Sequence, residues 1–528
     1  MKLRYAFPIL FAALGLYGAA SAPPGVRWWG YVKELASDKY QGRATASPGY
    51  RQAAELVSAE FKKLGLVPAE NSGNMQPVSL AVRRIREQES SLSLVRGSLQ
   101  ELLEPGTDAY LNLNIDFKPQ VDAPAIFVGY GLTVPETGYD DLAGVDLKGK
   151  VAVFLRGGPS SIPGPLRAHY QTLRERQAFL RKAGAVGIAA IVDPRSMDLP
   201  WERYSAYRLE PFMSLAAPGM QDGGDLALSV TINPAQADKW FAGTEHTFAE
   251  ILDLAKAGRP LPRFPLACSV RATVSADRSE TECENVAAVL RGTDPRLRDE
   301  YVVISAHLDH LGVGLPVNGD SIYNGAMDDA SGVASLIEIA RALKAAPPRR
   351  SVLFLAVTGE EKGLLGSRYF ASHPSVPAAS IVADLNLDMF LPIHSLRVLT
   401  VYGLGESSLG NDIQAVAKAY GVGVQADAEP DRNIFIRSDQ YSFIREGVPS
   451  LAFKFGFAPG SPEERLQKQW LDQRYHAPSD DAMQPVNLAA AARFNRIIAA
   501  LARRVANQTT RPAWNQNSFF RRFAGGSN

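Results

Sequence analysis

The segment 301–309 reads YVVISAHLD, and the fold assignment depends on its pattern. Its first six residues are hydrophobic or small, which is typical of a strand buried on both faces, and polar His307 and Asp309 follow at once. Further along, residues 331–345 carry hydrophobic side chains at helical spacing and end before two consecutive prolines. A buried strand, a polar loop and a helix in this order predict one unit of an α/β sheet.

The same alternation continues on both sides of this unit. Hydrophobic strands are predicted at 285–290, 351–357, 381–387 and 450–455, and further helices at 367–372 and 409–420. Because strands alternate with helices along the chain, we predict an α/β fold with a mixed, mostly parallel sheet flanked by helices. With 528 residues, of which 46% are hydrophobic, the chain is long enough for more than one domain.

The region before this pattern is organised differently. Residues 28–66 are predicted to form two helices, and short strand-like runs separated by glycine- and proline-rich turns begin near residue 123. We interpret the latter region as a small α/β module inserted into the main domain, either a spacer or a wall that limits access. The predicted divisions are a leader at 1–22, the main domain at 23–120 and 259–506, the insertion at 121–258, and a C-terminal tail at 507–528 that forms a surface arm or is disordered.

The N-terminus has the three parts of a secretory signal peptide. Lys2 and Arg4 precede an apolar run, 5–18, and the small residues 19–22 suit cleavage. A membrane anchor is the alternative, but the apolar run is short for crossing a bilayer. We therefore expect a periplasmic or secreted protein without stable membrane insertion.

Charge and cysteine content restrict the partners and the chemistry. The 56 basic residues nearly balance the 55 acidic ones, and no basic run lies beside aromatic residues, so we predict no nucleic-acid partner. Export permits a disulfide between the two cysteines, Cys268 and Cys283, which we expect in preference to two buried thiols. Two cysteines cannot form a cysteine-rich zinc site.

Titratable side chains follow the carboxyl ends of several predicted strands, where α/β sheets bind their ligands. These residues are His307 and Asp309, Asp328 and Asp329, Glu360 and Glu361, Asp388, and Tyr475 with His476. Each has an ordinary structural explanation on its own, since an aspartate before a helix can cap it and a glutamate pair can lie on a solvated turn. Their common position on one rim of one sheet indicates a shared site.

The composition of this rim indicates a metal. Imidazoles and carboxylates without a thiolate suit Zn²⁺, with Co²⁺ or Mn²⁺ as substitutes. Two histidines and three carboxylates exceed the needs of one tetrahedral ion, and they suit two ions bridged by a carboxylate. One further carboxylate must accept a proton from the activated water, and adjacent Glu360 and Glu361 can divide the roles of base and ligand.

Five segments on this rim also resemble the signature blocks of one family. They are 306–309 (AHLD), 325–332 (GAMDDASG), 359–367 (GEEKGLLGS), 386–388 (NLD) and 475–476 (YH). In order and spacing they resemble the di-zinc exopeptidases that include bacterial secreted leucyl aminopeptidases and glutamate carboxypeptidases. Residues 42–66 resemble the helical start of that family, and 128–141 resemble its inserted protease-associated domain. The resemblance implies a zinc exopeptidase-like fold with that insertion.

The resemblance also implies a set of metal ligands for two Zn²⁺ per chain. His307 and Asp388 would bind one ion, and Glu361 and His476 would bind the other. Asp328 would bridge the two ions.

The remaining roles also follow from the resemblance. Glu360 would be the general base, Asp309 would orient His307, and Tyr475 would hydrogen-bond the oxyanion. Arg437 resembles a substrate-positioning arginine. Asp329 matches no ligand position, and His310 receives no role.

The motifs leave the direction of cleavage open. An aminopeptidase acting on peptides needs a negative pocket for the substrate ammonium group, which Glu360 and Asp388 could provide. A carboxypeptidase or amidase on the same metals needs basic residues, for which Arg432, Arg437 and Lys454 are candidates. A binding protein that has lost its chemistry is the third hypothesis, and it predicts missing ligands, whereas all five are present. The chain has no HExxH helix and no GxSxG elbow.

Overall fold

The computed structural model describes residues 22–69, 73–197, 199–220 and 226–525. The predicted signal peptide, 1–22, lies outside the described residues except for Ala22. Within the described ranges, no helix is both long enough and apolar enough to cross a membrane.

The described helices and strands have the following bounds. The helices are α1 (Pro24–Leu35), α2 (Pro48–Lys63), α3 (Gly164–Gln171), α4 (Leu173–Lys182), α5 (Trp201–Ala206), α6 (Asp238–Phe241), α7 (Phe248–Lys256), α8 (Ser331–Lys344), α9 (Leu365–Ser372), α10 (Leu409–Ala419), α11 (Gln440–Arg445), α12 (Pro462–Gln473) and α13 (Leu488–Asn507). The strands are β1 (Val67–Pro68), β2 (Met75–Ile85), β3 (Ser91–Arg96), β4 (Leu99–Leu102), β5 (Ala109–Leu111), β6 (Gln120–Val128), β7 (Thr133–Val134), β8 (Tyr139–Asp140), β9 (Val151–Leu155), β10 (Gly187–Ile191), β11 (Phe212–Leu215), β12 (Leu228–Ile232), β13 (Arg263–Thr273), β14 (Ala276–Leu290), β15 (Tyr301–His307), β16 (Gly312–Val317), β17 (Asp320–Tyr323), β18 (Ser351–Val357), β19 (Ile381–Asn386), β20 (Val398–Tyr402), β21 (Gly423–Gln425) and β22 (Ser450–Phe455).

The main sheet is mixed, and its parallel part lies at the centre. The strand order is β11-β2-β14-β18-β15-β19-β22-β20-β21, with β1 paired to β14 outside this path. Strands β18, β15, β19 and β22 run parallel to their neighbours in this group, whereas β14 pairs with β18 and β20 with β22 in antiparallel fashion. The predicted α/β class with a mixed sheet is confirmed, and the parallel pairing is concentrated in these four strands.

Helices cover both faces of this sheet. Helices α1, α2, α8 and α13 pack on one face, and α9 and α11 pack on the other. In β15, Val302 and Ile304 belong to the first core, and Tyr301 and Val303 belong to the second. Because side chains alternate across a strand, a strand covered on both faces is hydrophobic throughout, which explains the sequence of 301–306.

A second sheet has its own hydrophobic core. Its order is β4-β3-β13-β6-β9-β10-β12-β5, and its core includes Phe127, Phe154 and Trp240. This sheet extends from β3 to β13 and is therefore wider than the predicted insertion, 121–258. The difference arises because β13 pairs with both β3 and β6, so that strands flanking the insertion complete its sheet.

The prediction of a disulfide between Cys268 and Cys283 is wrong, because both cysteines are free and buried. Cys268 lies on β13 in the core of the second sheet, and Cys283 lies on β14 in the main core. The Sγ atom of Cys283 instead lies 2.9 Å from Oγ1 of Thr358. The two thiols are separated because each is packed into a different core.

The described part of the C-terminal tail, 508–525, packs against the main domain. Trp514 pairs with Ser407 in an isolated antiparallel bridge and donates a hydrogen bond from Nε1 to the carbonyl of Gly447, at 2.8 Å. Phe520 is fully buried beside Ile444. Of the two predicted alternatives, this part of the tail is a surface arm, held by its aromatic side chains.

Arg43 connects the helical N-terminal region to two loops of the main sheet. Its guanidinium group is fully buried and donates hydrogen bonds to the carbonyls of Leu35, Leu308, Asn324 and Gly325 at 2.6–2.9 Å. The last three carbonyls lie in the loops that lead from β15 and into α8. Arg43 therefore stabilises the backbone on which the predicted site depends.

Replacing Arg43 with methionine should lower the free energy of unfolding by about 3 kcal/mol or more. The reason is that a hydrogen bond to a charged donor contributes roughly 1.5–3 kcal/mol and that the buried carbonyls would lose their partner. The measurement is the denaturant midpoint of the full chain. Arg51→Met is the matched control, since the side chain of Arg51 is 62% exposed. Equal midpoints for the two variants would contradict this role of Arg43.

Candidate metal centre

The five predicted metal ligands lie together at the carboxyl edge of the parallel strands. His307 is the last residue of β15, Glu361 follows β18, and Asp388 follows β19. Asp328 lies in the turn before α8, and His476 lies in the loop after α12. Parallel strands end at the same edge of a sheet, and this brings residues from five segments into one cluster.

Asp328 occupies the middle of this cluster. Its Oδ1 atom lies 3.1 Å from Nε2 of His307, which is also 3.8 Å from Oδ1 of Asp388. Its Oδ2 atom lies 3.1 Å from Nε2 of His476, which is also 3.3 Å from Oε2 of Glu361. Each carboxylate oxygen of Asp328 therefore faces one pair made of a histidine and a second carboxylate.

His310 is a member of the cluster that sequence reasoning missed. It is fully buried, and its Nδ1 lies 2.8 Å from Oε1 of Glu361 and 3.8 Å from Oδ2 of Asp328. Asp329 is also buried, and one of its oxygens groups with His307 and Asp388 within 4.8 Å. The available signal for His310 was its position three residues after His307 in the segment HLDH.

The cluster fits a metal ion by its donors and by its unsatisfied atoms. Among the described residues, Nε2 of His310 and Oδ2 of Asp329 are buried without a hydrogen-bond partner, whereas Nδ1 of His310 faces Oε1 of Glu361 at 2.8 Å. Buried polar atoms are rarely left in this state, and a divalent cation would satisfy lone pairs of this kind. Imidazole nitrogens and carboxylate oxygens are the ligands of zinc sites that perform hydrolysis.

Burial and the opposite charges within the cluster shift its pKa values strongly. Burial alone would lower the pKa of His307, but its hydrogen bond to Asp328 raises that pKa well above its ordinary value. Burial would raise the pKa of Asp328, but His307 and His476 hold it well below its usual range. Burial and the charge of Glu361 raise the pKa of Glu360 well above its ordinary value. The negative charges of the carboxylates therefore repel one another, and a bound cation would relieve this repulsion.

Asp309 differs from its predicted role. His307 Nδ1 lies 3.0 Å from the backbone carbonyl of Asp309, whereas the Asp309 carboxylate is 4.0 Å away from that nitrogen. The carboxylate instead accepts hydrogen bonds from Oγ1 of Thr45 at 2.9 Å and from the amides of Glu360 and Glu361 at 3.1 and 3.4 Å. The difference arises because the backbone amides of the turn after β18 point toward the Asp309 carboxylate. This carboxylate consequently positions Glu360 and Glu361.

Asp480 supports the other side of the cluster and was also missed. It is fully buried, and its carboxylate accepts hydrogen bonds from the amides of Met327 at 2.9 Å and Asp328 at 3.1 Å. Its position four residues after His476 is the only signal that the sequence contains for it. Asp480 therefore couples the loop that carries His476 to the turn that carries Asp328.

A segment within the predicted insertion reaches the cluster. The hydroxyl of Tyr207 hydrogen-bonds with Nδ1 of His476. Arg203, on α5 just before it, donates to the backbone carbonyl of Asp472 at 2.9 Å. Burial raises the pKa of Tyr207 to about 12, so its phenol stays neutral near pH 7. A metal bound to Nε2 of His476 would leave a proton on Nδ1, and the phenolic oxygen can accept it in a hydrogen bond.

Replacing Tyr207 with phenylalanine should lower the affinity for the zinc ion nearest His476 by about 10–100-fold. Loss of a hydrogen-bond partner of a metal-binding histidine usually has an effect of this size. The measurement is zinc affinity by competition with a chelator. Tyr31→Phe is the control, because it removes a phenol that bonds to Glu60 on another part of the chain, at 2.6 Å. Equal zinc affinities in the two variants would show that Tyr207 does not support His476.

Two cavities adjoin the cluster. The larger, of about 1100 Å³, lies between the two sheets and is lined by Arg156 and Tyr204 on one side and by Glu361 on the other. The smaller, of about 70 Å³, lies within the main domain against Glu360. Tyr475, His476 and Arg437 line both cavities, so the cluster lies where the two cavities meet. Arg437 and Tyr475, the predicted substrate-contacting residues, are thus at the junction.

Comparison with known proteins identifies the family of the segment that carries the cluster. Residues 285–502 match the model of peptidase family M28. A probable leucine aminopeptidase 2 of Aspergillus oryzae is 29% identical over 245 residues, which are 44% of this chain and 45% of that protein. A probable zinc metalloprotease of Pyrenophora teres f. teres is 37% identical over 105 residues, 20% of this chain and 22% of that protein. The chain thus spans less than half the length of these curated relatives.

A solved structure shows the same fold over nearly the whole chain. The aminopeptidase from Aneurinibacillus sp. strain AM-1 aligns with 92% of this chain and 94% of its own, with a TM-score of 0.56 and 20% identity. At this identity the likeness concerns the fold alone. The family model covers the strands that end at the cluster and all five of the predicted metal ligands. Residues 285–502 of this chain, which carry all five predicted ligands, are thus similar to peptidase family M28.

Proposed function

We propose that the protein is a zinc-dependent aminopeptidase that releases N-terminal residues from peptides, using two zinc ions. The observation that carries the proposal is the position of Asp328, whose two oxygens each face a histidine paired with a carboxylate. His307, Asp388 and Asp328 would hold one ion, and Glu361, His476 and Asp328 the other. Zinc at this position supplies a water of lowered pKa and polarises the scissile carbonyl, and Co²⁺ or Mn²⁺ could replace it.

Glu360 is the residue we assign as general base. It lines the smaller cavity beside Asp328 and Asp388, and its amide is held by the carboxylate of Asp309. From this position it would take a proton from the attacking water and deliver it to the leaving amine. Its neighbour Glu361 faces His476 instead, and the two adjacent glutamates therefore have separate roles.

Tyr475 and Arg437 are assigned to the substrate. The ring of Tyr475 stacks on His476 with a centroid separation of 3.9 Å, and it lines both cavities. Its hydroxyl would donate to the oxygen that becomes negative when water attacks the carbonyl. Arg437 is exposed at the same junction, where it would orient the peptide.

The two unequal cavities support cleavage at a chain end. The larger has room for a peptide, whereas the smaller has room for about one side chain. Glu360 and Asp388 line the smaller one and could hold the ammonium group of an N-terminal residue. A carboxypeptidase or amidase is the second candidate, because Arg432, Arg437 and Lys454 also line the smaller cavity.

The predicted insertion and the N-terminus bear on the access of substrates and on the location of the protein. Residues of the predicted insertion, 121–258, form one side of the larger cavity, which favours a wall over a spacer, and we propose that this region is the protease-associated domain. The signal-peptide pattern supports a periplasmic or secreted location. Both additions rest on the sequence patterns described above.

The test uses the purified full chain after signal removal, loaded with zinc, and peptides with free or acetylated amino termini. We expect stepwise loss of N-terminal residues from the free peptides alone, identified by mass. Loss from the C-terminus, or equal cleavage of acetylated peptides, would instead indicate a carboxypeptidase or amidase. Absence of all cleavage with two zinc ions bound would contradict the activity on these peptides and would indicate a narrower substrate range.

A further inference from the structure

The smaller cavity is lined by both acidic and basic side chains. Its acidic side chains are Glu360, Asp388 and the proposed bridging ligand Asp328. Arg432 and Lys454 line the same cavity, and Arg437 joins it to the larger one. An uncharged residue such as leucine would need no such cations around its side chain, because hydrophobic specificity pockets are lined mainly by apolar groups.

Of the three basic residues that line this cavity, only Lys454 lies on a strand of the main sheet. It is the penultimate residue of β22, so it lies at the same carboxyl edge as the metal cluster. Strand β22 is paired on both sides, with β19 and β20, which fixes the position of this lysine. Among the described residues, no hydrogen bond or ion pair involves its ammonium group, whereas Arg432 pairs with Glu429 at 3.2 Å.

Both acidic and basic side chains of the cavity influence the pKa of Lys454. Burial lowers the pKa of Lys454, Asp388 opposes this effect, and Arg432 and Arg437 add to it. A partly buried ammonium group without a direct partner is costly unless an anion joins it. The anion must also fit a cavity of about 70 Å³, which excludes a large ligand.

We propose that the basic side chains of the smaller cavity bind the side-chain carboxylate of the substrate's N-terminal residue, so that the enzyme removes N-terminal aspartate or glutamate. This inference rests on the proposed aminopeptidase function. The α-ammonium group would face Glu360 and Asp388, and the side-chain carboxylate of the same residue would face Lys454 and Arg432. One substrate residue would then neutralise both the acidic and the basic side chains of the cavity.

The test compares peptides that begin with glutamate and with glutamine and are otherwise identical. The two side chains have nearly the same shape, so a difference reports the charge. For the unmodified enzyme we expect kcat/KM to be at least about tenfold higher for the glutamate peptide, the size expected from one charged contact. This comparison does not depend on whether any variant folds.

Lys454→Met should abolish that preference. We expect the glutamate-to-glutamine ratio of kcat/KM to fall to about one, mainly through loss of activity on the glutamate peptide, whereas Lys454→Arg should retain the preference because it keeps the charge. Lys418→Met is the matched control, since Lys418 is exposed on α10, and its ratio should equal that of the unmodified enzyme.

The outcomes separate this inference from the proposed function. Release of N-terminal leucine or glutamine in preference to glutamate would overturn the proposed preference for acidic N-terminal residues. The proposed aminopeptidase activity would not be affected by that result. An unchanged ratio in a folded Lys454→Met variant would have the same two consequences. Release of C-terminal residues would overturn both proposals, and it would assign the basic side chains of the cavity to the terminal carboxylate of the substrate.

Discussion

Replacing Glu360 with alanine should reduce kcat by about 10²–10⁴-fold while the zinc content stays unchanged, because a general base contributes about this much and is not a ligand. Glu360 lines the smaller cavity and does not share the close contact of Glu361 with His476. The measurement combines steady-state kinetics on a free peptide with metal analysis of the same preparation.

Two further variants make this test specific for proton transfer. Glu360→Gln keeps the shape of the side chain and removes its basicity, and it should lose nearly as much activity as the alanine variant. Glu245→Ala changes an exposed residue and should behave as the unmodified enzyme. Normal turnover in Glu360→Ala would remove Glu360 as the base and would direct attention to another carboxylate of the cluster, such as Asp329.

Replacing Asp328 is expected to affect zinc binding as well as activity. Asp328→Ala should lose both zinc ions together and have no activity above that of the uncatalysed reaction. The reason is that one oxygen of this carboxylate lies 3.1 Å from Nε2 of His307 and the other lies 3.1 Å from Nε2 of His476. Removal of a ligand from one half alone, as in Asp388→Ala, should affect the two ions unequally. The measurement is the zinc content of each variant after dialysis against a weak chelator, read as ions per chain.

The control for this test is Asp253→Ala, which changes an exposed aspartate on α7. It should retain two ions per chain and full activity. Two tightly bound ions in Asp328→Ala would refute the bridging role. A folded protein without zinc is the expected state of that variant, and circular dichroism of the same sample distinguishes it from an unfolded chain.

Much of the site could be predicted because its residues follow strand ends. The hydrophobic runs at 301–306, 351–357 and 381–387 predict parallel strands, and the polar residues after them must then share one edge. The structure brings the five predicted ligands together at that edge, in two groups around Asp328. Their roles as ligands stay a proposal until zinc is measured.

The supporting residues could not be predicted in the same way. Asp309 contacts His307 through its backbone carbonyl, while its carboxylate holds the amides of Glu360 and Glu361. Tyr207 reaches His476 across 269 positions of sequence. Nothing local in the sequence indicates these contacts, since they depend on how distant loops pack against the sheet.

The α/β class and the strand-end positions of the candidate ligands could be predicted from the order of residues along the chain. Hydrophobic periodicity and chain order determine these properties, because a strand buried on both faces needs a continuous run of hydrophobic residues. The sequence does not indicate that Cys268 and Cys283 lie in separate cores, that His310 and Asp480 join the cluster, or that Lys454 lines the smaller cavity. These features depend on distances between segments far apart in the chain, and packing sets those distances.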